Sequence, residues 1–235
     1  MSLNELQKVI RQSANKQHAI ILQRFFKTGP GEYGEGDIFH GINVPVQRTI
    51  ANQFHHLPLN DLHILLRSKY HEERLISLLI LVLKFKHADE SVREKLFNFY
   101  LKNSDRINNW DLVDLSADKN VGAYLLDKDK SLLFKLARSS DLWERRISVI
   151  STYYFIKNGI FEITFQIAEI LLNDKHDLIH KAVGWMLREI GKRDLEPEEE
   201  FLKFHYKKMP RTMLRYAIEK FPEAKRQAYL KGTFL

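Results

Sequence analysis

Apolar side chains recur every three or four residues along almost the whole chain, and strand-like alternation is absent. Leu6, Val9, Ile10 and Ala14, followed by Ile20, Ile21 and Phe25, predict a helix or helix pair from about Asn4 to Phe26. The pattern breaks at TGPGEYGEGDIFHG, which predicts a Gly-rich loop over 28–43, a mobile flap beside the N-terminal helices. It resumes from Val44 to Phe54, with Pro45 in the first turn, where a missing N–H costs nothing. Asn60 and Asp61 are the expected cap of the next helix, and His71 to Lys86 is strongly apolar through Leu75, Leu78, Leu79, Val82 and Leu83. Further helices are expected over 91–102, 109–116, 119–126, 130–137, 141–157, 160–173, 176–191, 195–207, 210–220 and 222–230.

The helices repeat. Arg74, Trp110, Arg146, Lys181 and Arg215 each stand near the start of an apolar helix, at successive spacings of 36, 36, 35 and 34. The segments RLISLLIL, RRISVIST, KAVGWMLR and RYAIEKF rhyme. Two short helices per period predict an all-α fold, an α-solenoid whose units bury their apolar faces on one another, as a single domain over 1–235. The tetratricopeptide pattern is absent, and HEAT-type units run somewhat longer than this period. In such a stack the repeated basic positions line one concave face. The alternative at each position is an arginine that pairs structurally between units.

Charge sharpens the expectation. The chain has 37 Lys and Arg against 30 Asp and Glu, a net +7. From Lys181 onward, 13 basic residues face 8 acidic ones, which suits a polyanion partner. There is no cysteine, so disulfides, thiolate nucleophiles and Cys-ligated zinc are excluded. No leader-like or membrane-length apolar run occurs in the sequence given, and a cytoplasmic protein is expected. His176 and His180 have HxxxH spacing but no evident third ligand, so neither metal nor cofactor is expected. The Gly-rich loop lacks a phosphate-cradling motif and carries Glu32, Glu35 and Asp37.

Two segments could carry chemistry. In INNWDLVDLSADKNVG, Trp110 and Asp114 are four apart and share one helical face, whereas Asp111 and Asp118 lie on others. An indole face attracts a cation, and a carboxylate stabilises positive charge developing on a sugar. Two unit charges about 4 Å apart interact by about 4 kcal/mol at an effective dielectric of about 20. That is about a thousandfold in rate. On spacing alone, the commoner reading is Trp110 as a core residue and Asp114 as a surface one. In DLIHKAVGWMLREIGKRD, Lys181, Trp185 and Arg188 cluster on one face, suiting sugar or base contact by the indole and phosphate contact by the cations. A buried Trp185 with extended basic neighbours is the other reading. Gly184 is costly inside a helix and implies a close backbone approach. Asp141 is the expected cap before Trp143, whose place in the first turn suits packing, while Arg146 is a candidate phosphate clamp.

At WDLVD and KAVGWMLREIGK the chain resembles the AlkD-like DNA alkylation-repair glycosylases, which are built from HEAT-like repeats. Gly41, Ile42, Pro45 and Arg48 look like that family's G-I-x-x-P-x-x-R segment, and WERR at Trp143 to Arg146 is similar to its W-x-x-R turn. The likeness covers roughly residues 18 to 220 in the family's order. It implies a monofunctional glycosylase releasing 3-methyladenine and 7-methylguanine from duplex DNA without flipping the base; a monomer is expected. Asp114 would stabilise the oxocarbenium-like transition state, with Trp110 and Trp185 against the sugar-phosphate backbone. Arg146, Arg188, Lys181, Arg48, Arg215 and Phe25 are the expected DNA contacts. Two departures stand out: Phe25 replaces the family's tyrosine, and the Gly-rich loop is longer. The alternatives are a non-catalytic binder of damaged or branched DNA and a protein-interaction scaffold.

Overall fold

Short polar side chains set the start of about half of the helices by accepting from the first free backbone N–H groups. Asn15 caps at His18, Asn43 at Val46, Asp89 at Val92, Asp141 at Trp143 and Glu144, and Asp194 at Glu196. The computed structural model describes residues 1–233; the last two positions of the expected 1–235 domain lie outside them. Contacts gather into two compact units, Met1–Asn120 and Val121–Leu235. Each is a stack of helices, and no named strand occurs among the described residues. This agrees with the expected all-α fold of helical repeats.

The first unit holds α1 (Leu3–Gln12), α2 (Lys16–Phe25), α3 (Val44–Gln53), α4 (Leu59–Leu66), α5 (His71–His87), α6 (Glu90–Lys102) and α7 (Trp110–Asp114). α3, α4, α6 and α7 all contact α5, which is buried without a break from His71 to Leu81. A fully buried Leu or Ile contributes about 1.5–3 kcal/mol, and α5 carries a continuous run of them. α4 begins earlier than expected. Pro58 is its N-cap, so Asn60 and Asp61 lie inside the first turn, where the Asp61 charge suits the helix dipole. α2 also departs from expectation: none of its residues is buried, and Ile20, Ile21 and Phe25 are 56%, 61% and 60% exposed.

The Gly-rich loop is no flap in its second half. Ile38 bridges to Tyr70, with the His71 N–H donating to the Ile38 carbonyl at 2.9 Å. The buried Glu72 carboxylate accepts from the backbone N–H groups of His40, Gly41 and Ile42 at 2.8–3.1 Å. A carboxylate that accepts several N–H groups satisfies its own buried charge and fixes the chain that donates them. Gly41 has φ of +86°, and a side chain there would meet the Asn15 carbonyl, so only glycine fits.

The second unit holds α8 (Ala123–Leu125), α9 (Ser131–Ala137), α10 (Leu142–Lys157), α11 (Glu162–Leu171), α12 (Asp177–Gly191), α13 (Leu195–His205), α14 (Arg211–Ala217) and α15 (Glu223–Lys231). α10, α12 and α14 pack in series, with α9, α11 and α13 against them. The close approach expected at Gly184 is present: a Cβ there would collide with the Met213 carbonyl and the Tyr216 side chain of α14.

The repeat is real, but its register differs by one residue from the Arg74–Arg146 match. Arg74 donates to the Ser68 carbonyl and Arg145 to that of Ser139, six residues back in each case. Ser77 donates to the Leu62 carbonyl at 2.8 Å and Ser148 to that of Leu133 at 2.7 Å. Arg74 therefore corresponds to Arg145, and both fasten the turn before their helix. Arg74 is buried in an ion pair with Asp37 at 2.7 Å, and Arg145 pairs with Asp174 at 2.6 Å. The repeated arginine is a structural clasp at these two positions.

Candidate active site

Asn109 starts α7 by accepting from the Trp110 N–H, and this short helix carries both Trp110 and Asp114. Beneath it lies a buried polar cluster. His71 stands between two carboxylates, with Nδ1 at 3.0 Å from Asp37 and Nε2 at 2.8 Å from Asp111. Arg74 pairs with both oxygens of Asp37, and the Asn109 amide donates to Asp37 at 3.4 Å. Burial works against the charge on His71, but Asp111 foremost, then Asp37, hold its pKa up to about 9. Burial likewise disfavours the Asp37 charge; hydrogen bonding to His71 and the Arg74 guanidinium outweigh it and hold the carboxyl below its usual range. Two cations thus face two carboxylates, and the cluster is balanced.

Above the cluster sits an aromatic stack. Phe26 lies 4.8 Å from the His71 ring and stacks on the Trp110 indole at 5.1 Å, with 15° between planes. The exposed Phe25 meets Trp110 edge-on at 5.8 Å. One face of the indole is therefore packed, while the residue remains half-buried. The three acids of this segment separate cleanly. Asp111 and Asp118 are buried, paired with His71 and Lys119 respectively, whereas Asp114 is partly exposed, one turn from Trp110. Arg48, also of this unit, is exposed.

In the second unit the Trp185 indole N–H donates to Glu189 at 3.2 Å, and its ring lies 5.9 Å from that of Tyr153. Lys157 lies 4.6 Å and Arg193 5.7 Å from the Tyr153 ring centre. Lys192 and Arg193 also pair with Glu189; against the penalty of burial, these contacts hold its carboxyl below the usual range. Trp185 is thus a partly exposed aromatic among cations. Lys181 is partly exposed and pairs with Asp177 at 2.7 Å; Arg188, also partly exposed, pairs with Glu219. Arg215 is exposed. Arg146 is buried and donates to the Leu178 carbonyl, and Trp143 is buried as expected of a packing residue.

Sequence reasoning missed His71, Glu72, Tyr153, Lys157 and Arg193. The signal for the first two was the polar run HEER at the head of the most apolar helix, where such a run needs buried partners. Among the described residues no group of acidic and histidine side chains could hold a metal ion, and no helix is long and apolar enough to cross a membrane.

Residues 6–221 match the family model described as DNA alkylation repair enzyme. A solved structure described as a predicted DNA alkylation repair enzyme from Enterococcus faecalis superposes with a TM-score of 0.68 at 15% identity. The superposition covers 90% of this chain and 98% of that one. No curated protein matches.

Proposed function

We propose that this chain, which belongs to the DNA alkylation repair enzyme family, is a monofunctional glycosylase that hydrolyses the N-glycosidic bond of cationic alkylated purines in duplex DNA. The observation that carries the reading is the separation of acids on α7. Asp111 and Asp118 are buried, whereas Asp114, one helical turn from the Trp110 indole, is partly exposed.

A purine alkylated at N3 or N7 carries positive charge and leaves as a neutral base when the bond to C1′ breaks. The bonding electrons go with the base, so no general acid need reach it. Positive charge then develops on the deoxyribose, where the Asp114 carboxylate stabilises it. Water adds to C1′ and gives up a proton, with Asp114 orienting or accepting it. Trp110, stiffened by Phe26, offers a surface to the sugar and a favourable environment for the lesion's charge. A fixed indole backed by packed rings needs no pocket for an extruded base, which fits excision without flipping. In this reading Trp185 lies against the sugar-phosphate backbone. Arg48, Lys181, Arg188, Arg215 and Phe25 contact the duplex, while Arg146 supports the backbone at Leu178. The reading carries with it a cytoplasmic monomer that needs no cofactor.

A duplex bearing N-methylated purines is the test substrate. Release of free 7-methylguanine and 3-methyladenine, leaving abasic sites, is expected. Tight binding without release would leave a non-catalytic binder of damaged DNA instead.

A further inference from the structure

The second unit carries a cleft whose chemistry is opposite to that of a DNA surface. α11 and α13 flank an open cleft of about 560 Å³ whose apolar lining is Phe161, Phe165, Pro197, Phe201 and Phe204. Phe165 and Phe201 stack at 5.1 Å, and His205 closes on Phe201 at 4.4 Å. Phe204 is 74% exposed, the most exposed large apolar side chain among the described residues. A phenylalanine so placed loses most of the burial that would stabilise it, and an apolar patch rimmed by polar groups marks an interaction surface.

The rim gives the partner its sign. Glu162, Glu169 and Glu200 line the cleft and are exposed, whereas no Lys or Arg lines it in a chain with 37 of them. The only lining group able to carry positive charge is His205, which lies 3.3 Å from Glu169. A polyanion is repelled here, so the DNA-contact reading does not absorb this surface. Three carboxylates around aromatic rings complement a segment that offers apolar anchors flanked by Lys or Arg.

We propose that the cleft between α11 and α13 docks a basic, amphipathic helical segment of a partner protein. The apolar face of that segment fills the cleft against Phe165, Phe201 and Phe204, and its cations meet Glu162, Glu169 and Glu200. The site is independent of base excision and stands or falls apart from it.

Fluorescence anisotropy tests this with the full chain and a labelled Leu/Lys amphipathic peptide of about 15 residues, long enough to hold a helix. The matching Leu/Glu peptide serves as the comparison. Expected are binding of the Leu/Lys peptide that weakens with salt, and little binding of the Leu/Glu peptide. Phe204→Ser should weaken binding about tenfold, as loss of an anchor does. The combined Glu162→Gln, Glu169→Gln and Glu200→Gln variant should do the same. All four residues are surface groups, and a thermal melt of each variant separates lost docking from lost folding. Equal affinity for the two peptides, unchanged affinity in the folded variants, or no binding would overturn the proposal. So would self-association of the wild type that the variants abolish, because a second copy would then be the occupant.

Discussion

His71 Nε2 lies 2.8 Å from a carboxylate oxygen of Asp111, the residue that follows Trp110. Through this bond the buried head of α5 holds the short helix that presents both Trp110 and Asp114. The same imidazole reaches Asp37 and so ties the Gly-rich loop to that helix. Removing it leaves two buried carboxylates short of a partner. His71→Ala is therefore expected to destabilise the first unit by about 3–5 kcal/mol in urea denaturation. A loss below about 1 kcal/mol would show that the cluster contributes little.

The same group sets a pH dependence. Folding raises the His71 pKa from 6.5 to about 9, so the folded state binds the extra proton. Its stabilisation is complete below pH 6.5 and is lost as pH rises through about 9. Melting temperature followed across this window should fall in the wild type. In His71→Ala that part of the fall should be missing.

Glu198 gives the second unit a similar trend for a different reason. Burial in α13 pushes its pKa up to about 8, against a lowering influence from Arg188. A carboxyl whose folded pKa is raised binds its proton more tightly when folded. Its stabilising influence is greatest below 4.5 and lost as pH climbs to about 8. Glu198→Gln keeps the neutral shape, so it is expected to melt higher than wild type above pH 8 and to show a flatter profile.

The arginines divide by burial. Arg215→Ala and Arg48→Ala remove exposed cations. Each is expected to weaken duplex binding, reduce the slope of affinity against salt by about one, and leave the melting temperature unchanged. Arg146→Ala removes a buried donor to the Leu178 carbonyl. Its main expected effect is a lower melting temperature, by the equivalent of about 1–3 kcal/mol. An Arg146→Ala variant with unaltered melting and a reduced salt slope would restore it as a phosphate clamp.

Gly184→Ala tests the packing of α12 on α14. The added methyl meets the Met213 carbonyl and Tyr216. Destabilisation by about 1–3 kcal/mol is expected from chemical denaturation, despite alanine's better helix propensity. A more stable variant would mean the helices part without cost.

Local rules made much of this legible from residues alone. Asp141 is a cap because a short acid before an apolar helix satisfies its first N–H groups. Gly184 announced a close approach because nothing else accounts for glycine in mid-helix. Trp110 and Asp114 were paired by helical spacing. What escaped depended on distant partners. Arg74 reads as a surface cation until Asp37, from a Gly-rich loop, folds back onto it. Glu72 reads as a solvated acid until three loop N–H groups converge on it. Ile20, Ile21 and Phe25 keep helical spacing yet remain uncovered, because periodicity tells which face is apolar and not whether anything packs against it.

The most direct measurement is the rate at which 7-methylguanine leaves a methylated duplex, for wild type and for Asp114→Asn, with duplex affinity recorded alongside. Amide for carboxylate removes a negative charge from a partly exposed position, so affinity should hold or rise. Release should fall at least about a hundredfold, as when one transition-state contact is lost. Release by Asp114→Asn at the wild-type rate would contradict the assignment of this carboxylate.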